Sequence, residues 1–549
     1  MFVRMKKSGN REYLQIVRNR RVGKKVQQQV LLTLGRLDEL KAKGEVETLA
    51  QSLMRFCEKL IVLGKVDSQL RAHAVKIGPV LIFERLWKEL GIPEVLETLL
   101  KNREYEFDVE RAVFVTVLHR LMTSGSDRWC NSWREHYKIG GTEELSLHHF
   151  YRAMAFLGEE VETPESEQEP GLRRTKDKIE EMLFERHRDL FSSFDMMFFD
   201  TTSIYFEGHG GEYFGEYGYS KDHRPDLLQM VVGIVVDSGG RPLCSEMLPG
   251  NTADITTLVP VLKRIQGRFG GVKDFCIVAD RGMLKQKWID YLESPENSLE
   301  YIIGVRMRNL TEVRERVLSD SGPFQVVHPE SEDKRGPSPL QVKEVTVNGV
   351  RYIVCFNPRQ ARKDAQDRAA IVQSLEEQLK RGAKSLVGNK GYRRYLSVES
   401  ESVTINKDKI AEEERYDGKW VLRTNTKLPA AEVALKYKEL WQVERIFRSM
   451  KSLLDTRPIF HQRDDTIAGH VFCSFLALLL MKELERRLEL ISCDAEWNII
   501  KNDLGQLQEV SMEIDGKPFV FRTESEGVCG KVFQAVGVAL PPSVRPTAS

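Results

Sequence analysis

The sequence predicts an α/β chain built around a mixed sheet, and three stretches carry that prediction. MMFFDTTS puts Asp200 at the end of an apolar run, and CIVADRG does the same with Asp280. YKELWQVERIFRSMK, Tyr437 to Lys451, reads as a helix in which Leu440, Val443, Phe447, Met450 and Leu454 form one apolar stripe with Glu444 at its border. Short apolar runs that end in a single carboxylate read as buried strands delivering an acid to a sheet edge. Two such strands side by side would hold their carboxylates within about 5 Å, the spacing between strands.

At 549 residues the chain is too long for one core, so several domains are expected. Residues 1–70 read as a small β-rich domain. MFVRM, REYLQIVR and QQQVLLTLG have strand character, Gly9-Asn10 and Gly23 punctuate them, and a helix follows from about Glu45 to Leu63. Residues 1–36 hold ten Lys/Arg against the single acid Glu12, a basic patch suited to a phosphate backbone. Residues 71–190 are helical by pattern: GPVLIFERLWKEL, VERAVFVTVLHRLM and SLHHFYRAMAFL. Helix, short turn, helix is compatible with a major-groove reader but is more often a plain bundle, so this stretch is expected to bind DNA or to link. The acidic, Pro-rich EEVETPESEQEPG reads as an exposed loop.

Residues 191–308 form the first part of the core. DMMFFD is a strand, LQMVVGIVVD and RPLCSEML a hairpin around SGG, and ITTLVPVLKRIQGRFG a helix with Asp254 as N-cap. DFCIVAD is a strand, KQKWIDYLE a helix and EYIIGVRM a strand. Three strands, helix, strand, helix, strand is the order of an RNase H-like mixed sheet. Asp200 and Asp280 lie 80 residues apart, but Asp280 and Glu444 lie 164 apart. The excess, 309–428, is read as an inserted β-rich subdomain with a hairpin around Asn348-Gly349 and a charged helix from Arg359 to Gly382. Residues 429–490 complete the core with the Glu444 helix and a buried helix, and 491–549 form a C-terminal extension.

Two carboxylates that close repel unless a proton is shared or a cation sits between them. Glu444 would be the third ligand. Carboxylate oxygens without His or Cys select Mg²⁺ or Mn²⁺, and a pair of such ions serves phosphodiester chemistry. His209, His223 and His461 are loop histidines without metal-ligand spacing and are expected at the surface.

The set DTTS, DRG and Tyr437–Glu444–Lys451 resembles the DDE transposases of bacterial insertion sequences, in the insertion-sequence-4-like group with a Tyr-Arg-Glu-Lys signature. YSKDHRPDLLQ, DGKWVLRTNT and RPIFHQRDDTIAGH are similar to its 1634 branch. The resemblance implies a metal-dependent transposase that cleaves strands at terminal inverted repeats and joins them to target DNA in a cut-and-paste reaction. It implies Asp200, Asp280 and Glu444 as catalytic ligands of two Mg²⁺ or Mn²⁺ ions, and double-stranded DNA as partner, bound by a homodimer on paired ends. It assigns Tyr437 and Lys451 to phosphate and the strand end, and Trp420 to a base flipped from the DNA. The signature arginine position is Leu440, so a phosphate contact there falls to Arg445 or Arg448. Arg224 and Arg281 are further candidates, either for phosphate or for steering the carboxylates.

Other classes are constrained. The net charge of +1 does not announce a nucleic-acid partner for the chain as a whole; the local charge does. Eight scattered cysteines without a C-x-x-C pattern read as buried thiols in a reducing compartment. The basic start lacks the apolar segment of a signal peptide, and the run Val471–Met481 is too short for a bilayer, so a cytoplasmic, nucleoid-associated protein is expected. A metal-dependent nuclease of the same fold without strand transfer, and a DNA-binding protein that has lost catalysis, are the alternatives. A two-carboxylate carbohydrate hydrolase is more distant, because it would work without added metal.

Overall fold

The computed structural model describes residues 1–22, 25–54, 72–162, 172–187, 196–269, 275–283, 285–295, 297–331, 336–381, 395–399, 402–514 and 517–546. It divides into two compact units, Met1–Ala72 with Met512–Phe519, and His73–Ser511 with Val520–Ser549.

The first unit is an antiparallel three-stranded sheet of Phe2–Ser8, Arg11–Val22 and Lys25–Arg36, followed by helices Leu37–Ala42 and Glu45–Met54. The strands are longer than the apolar stretches alone suggest. The register runs from Phe2 against Val17 to Ser8 against Arg11, with Gly9 at φ +59° in the tight turn. Arg18, Arg20 and Arg21 are exposed on the middle strand. The remainder of the helix expected to reach Leu63 lies outside the described residues, as does Cys57.

The second unit is organised on a nine-stranded sheet. Its strands are β1 Met196–Tyr205, β2 Gln229–Asp237, β3 Pro242–Pro249, β4 Cys276–Ala279, β5 Glu300–Val305, β6 Gln325–His328, β7 Leu340–Val347, β8 Val350–Phe356 and β9 Lys419–Thr424. The spatial order is β6-β7-β8-β9-β5-β4-β1-β2-β3. Strands β1, β2 and β3 pair antiparallel, while β4 runs parallel to β1 and β5 parallel to β4. Order 3-2-1-4-5 with that polarity is the RNase H-like arrangement. Helices α1 Leu258–Arg268 and α2 Gln286–Glu293 supply the crossovers that parallel neighbours require.

The β2–β3 turn forms because the Asp237 carboxylate accepts from the N–H groups of Gly239 and Arg241, at 2.9 and 2.8 Å, and Gly240 takes φ +73°. In the β7–β8 hairpin Asn348 and Gly349 both take positive φ, +52° and +80°, as a type I′ turn demands.

The insertion departs from the expected separate subdomain. Its strands continue the core sheet, because β9 pairs antiparallel with β5 from Val421 opposite Val305 to Thr424 opposite Ile302. The outer edge of β5 would otherwise present unpaired backbone groups. Only Leu396–Glu399 and Ser402–Ile405, among the described strands of this stretch, stand apart as a two-stranded ladder.

Strand parity sorts the two faces. Met196, Phe198 and Ile204 of β1 and Cys276 and Val278 of β4 join one apolar cluster, with α3 Ala430–Lys438, α4 Trp441–Ser452 and α5 Asp464–Leu490. Met197 and Phe199, with Ile277 and Ala279, join the other, under α1 and α2. The first cluster runs on into the helical segment before the sheet. Helix Val109–Met122 is buried all round, so it offers no face to a DNA groove. Helix α5 is 27 residues long and apolar enough to cross a bilayer, but 94% of its apolar window is buried inside the fold. It is a core helix.

Candidate active site

Parallel pairing sets the first two acids. Phe199 lies opposite Ala279 as the last paired residues of β1 and β4, so Asp200 and Asp280 face each other one position on. Their even numbering puts both on the face of Phe198 and Val278, the face that α4 covers. Helix α4 packs against β1 and β2 through Val443, Ile446, Phe447 and Met450, which are all buried. Glu444 projects from the exposed margin of that helix. Its side chain makes no hydrogen bond or ion pair with any described residue, including Arg448 one turn on, so its carboxylate is free among the described residues. Among the described residues, ligand atoms of these three acids do not draw within 4.8 Å of one another as one group.

Asp200 is half-buried. Burial pushes its carboxyl up to about 6, against the pull of Lys221 and the Thr201 N–H, and Asp280 and Asp254 add to the rise. Thr201 N donates to Asp200 Oδ1 at 2.7 Å. A half-buried carboxyl that resists ionisation beside a second acid is what a site fitted to a cation presents. The donors are all oxygens, so the set fits a hard divalent ion.

Asp280 is held from the other side. The Tyr437 hydroxyl donates to its Oδ1 at 3.0 Å. Burial first, then Asp280, raises the phenol above its ordinary pKa, so it remains a donor. Gly304 of β5 makes room for this contact, since a Cβ there would sit 2.3 Å from the Tyr437 oxygen. Tyr437 and Glu444 do not share one helix, although the spacing predicts that they do. The chain turns at Glu439 and Leu440 between α3 and α4, because α3 packs on β4, β5, β7 and β8 whereas α4 packs on β1 and β2.

The basic candidates divide. Arg448 and Arg281 are exposed and carry no ion pair among the described residues. Arg445 pairs with Glu485 of α5 at 3.4 Å. Arg224 pairs with Asp226 at 2.8 Å and lies 5.5 Å from the Tyr205 ring centre. Lys451 donates to Asp222 Oδ1 at 2.8 Å, an oxygen it shares with Arg457. Burial pulls the Lys451 amine below its ordinary value, with Asp222 opposing. Trp420 lies half-buried in β9 opposite Cys355, with the Lys438 ammonium 5.8 Å from its ring.

Two residues sit elsewhere than the sequence predicts. Asp254 does not cap α1, whose N-cap is Thr257; its carboxylate instead accepts from Thr201 Oγ1 at 2.6 Å and pairs with Lys221 at 3.1 Å. His461 is not a surface residue, since its Nε2 lies 3.1 Å from Asp127 Oδ2 in the interior. His209 and His223 are exposed, as expected.

Asp127, His461 and His470 bring ligand atoms within 4.8 Å of one another. This group is not suited to a metal, because Arg120 fills the cation's place. Its Nη2 lies 3.0 Å from His470 Nδ1 and 3.3 Å from Asp127 Oδ1. Burial and then Arg120 lower His470 to about 4, so it is neutral, with Nε2 donating to the Thr456 carbonyl at 3.1 Å. Sequence spacing gave no signal here, for the partners are more than 300 residues apart.

A family described as transposase DDE domain matches residues 194–480. A second, described as the IS1634 family transposase N-terminal domain, matches residues 3–68. No curated protein matches the chain. Among solved structures, the cryo-EM structure of a piggyBac transposase synaptic complex with hairpin DNA is similar at 10% identity and a TM-score of 0.35, over 78% of this chain and 79% of that one.

Proposed function

The chain belongs to the transposase DDE domain family, and from that membership we propose that Asp200, Asp280 and Glu444 are its catalytic acids in cut-and-paste DNA transposition. The observation that carries the assignment is the pairing of β1 with β4, which sets Asp200 against Asp280 on the face covered by the Glu444 helix. The family works with divalent metal ions; Mg²⁺ is the ion we assign, two per site. Bound there, the ions would neutralise the acids, lower the pKa of water and stabilise the leaving oxygen.

The remaining work belongs to side chains of this chain. Asp200 inside β1 and Asp280 directly after β4 hold fixed positions, which orients their oxygens without loop entropy. Tyr437 orients Asp280 by donating to one oxygen and leaving the other open. Glu444, free on a helix, has the freedom to swing inward when substrate arrives. Arg448 and Arg281, exposed and without an ion pair among the described residues, are assigned to phosphate, and Lys451 anchors the 219–229 loop through Asp222 unless DNA displaces it. The exposed arginines of the N-terminal sheet are assigned to duplex backbone, as a sequence-independent contact. Trp420 keeps the assignment of stacking on an unpaired base, with part of its ring accessible. Two copies of the chain, each holding one transposon end, are the assembly proposed for the reaction.

The test combines terminal-repeat DNA, a supercoiled target plasmid and Mg²⁺. Ends joined to the plasmid are the expected product. Cleavage without joining would make the chain a nuclease, and end binding without cleavage would leave only a DNA-binding role.

A further inference from the structure

On the face of β1 opposite Asp200, the odd-numbered Thr201 and Ser203 hold the loop that follows Tyr219. Ser203 Oγ accepts from the Lys221 backbone N–H at 2.8 Å. The Lys221 ammonium has three donors and three acceptors: the Thr201 carbonyl at 2.6 Å, Thr201 Oγ1 at 3.0 Å and Asp254 Oδ2 at 3.1 Å. Thr201 Oγ1 in turn donates to Asp254 Oδ1 at 2.6 Å. The ammonium is therefore fixed next to Asp200 and is not ion-paired with it. Asp254 is brought there by the turn after β3, which also packs against the residues following Asp280. Among the described residues, neither side chain has another polar partner that would explain its charge.

We propose that Asp254 is a counter-ion dedicated to Lys221, and that the pair sets how strongly the Asp200–Asp280 site holds a divalent cation. The proposal rests on the assignment of those acids as metal ligands. A lysine reaching Asp200 directly would occupy the carboxylate the metal needs. A carboxylate on the opposite face of the strand diverts it and leaves Asp200 open. The fixed positive charge still weakens the site's hold on each divalent ion, which keeps it from binding metal too tightly. Both are positioning residues: they act on the reaction through Asp200.

The two halves of the pair shift metal affinity in opposite directions. With one unit charge removed at about 6 Å from a doubly charged ion and an effective dielectric near 40, Lys221→Met should tighten Mn²⁺ binding about a hundredfold. Asp254→Asn should weaken it by a similar factor, because the released ammonium turns to Asp200. The measurement is free Mn²⁺ by electron paramagnetic resonance on the full chain, without DNA, with thermal melting as the control for folding. Lys221→Arg, which keeps the charge, should stay near the unsubstituted value. In the double variant, Lys221→Met with Asp254→Asn, affinity should return to that of Lys221→Met alone. If Asp254→Asn weakens binding as much in the Lys221→Met background, Asp254 is itself a metal ligand and the proposal is overturned. If every variant binds Mn²⁺ as the unsubstituted chain does, the pair is only structural and the proposal alone fails. If the unsubstituted chain binds no Mn²⁺, the metal assignment falls and takes the proposal with it.

Discussion

The Tyr437 hydroxyl donates to Asp280 Oδ1 at 3.0 Å, so the last turn of one helix fixes the acid at the end of a core strand. A hydrogen bond to a charged acceptor contributes about 1.5–3 kcal/mol. Tyr437→Phe should therefore slow single-turnover cleavage of end DNA by about ten- to a hundredfold, and Gly304→Ala, which pushes on the same oxygen, should do likewise. End binding by gel shift should stay within about threefold, since Asp280 rather than DNA loses the contact. An unchanged cleavage rate in both variants would remove Tyr437 from the site.

Glu444 is exposed on α4, and its carboxylate is free among the described residues. Glu444→Gln keeps the shape and removes the charge. We expect cleavage in Mg²⁺ to fall by about a thousandfold or more, with end binding and melting temperature unchanged. A variant that cleaves within about tenfold of the unsubstituted rate would exclude Glu444 as the third acid.

Asp200 makes the metal-free fold sensitive to pH. Burial raises its carboxyl from 3.8 to about 6, so the folded chain binds that proton more tightly than the unfolded chain does. Its contribution to stability is fully present below about pH 4 and is lost as pH rises through about 6. The shift sets an upper value of about 3 kcal/mol. In EDTA at pH 7.5, Asp200→Asn should melt higher than the unsubstituted chain, and the gap should close toward pH 4. Added Mn²⁺ should raise the melting temperature of the unsubstituted chain and not of the variant.

Much of this was legible in the sequence because it rests on short-range patterns. Asp200 and Asp280 were visible because each ends an apolar run, and alternation alone puts both on one face. The Asn348-Gly349 hairpin was visible because its turn needs positive φ. Partners made by tertiary packing were not visible. Asp254 sits just ahead of an apolar helical pattern, so local chemistry reads it as a cap; the β1 strand claims it instead. His461 lies in a polar stretch and reads as surface until Asp127 is brought against it. The insertion looked separate because its own strands alternate well, and nothing in that alternation reveals that β5 has an edge to offer.

The N-terminal sheet carries Arg18, Arg20 and Arg21 exposed on one strand. By alternation Arg18 and Arg20 share a face. If they neutralise backbone phosphates, Arg18→Gln with Arg20→Gln should weaken end and random DNA alike. It should also reduce the slope of log K against log salt by roughly two. Fluorescence anisotropy across a salt series reads both quantities, and an unchanged slope would move the duplex contact elsewhere.

Asp127 joins helix Asp127–Trp133 to α5 and to the loop ahead of it through Arg120, His461 and His470. Burial alone would push this carboxyl up, yet Arg120 and then the hydrogen bond from His461 hold it well below its usual range. Its stabilisation is thus present above the unfolded pKa and is lost only in strong acid. Asp127→Ala leaves Arg120 buried without its anion, which costs about 3–5 kcal/mol. Asp127→Asn keeps the acceptor for His461 and should cost less than half of that. Urea denaturation of both variants tests this, and Mn²⁺ binding by the folded Asp127→Asn chain should match the unsubstituted protein. Weakened Mn²⁺ binding in that variant would mean that the Asp127 group, and not the acids of β1 and β4, takes the ion.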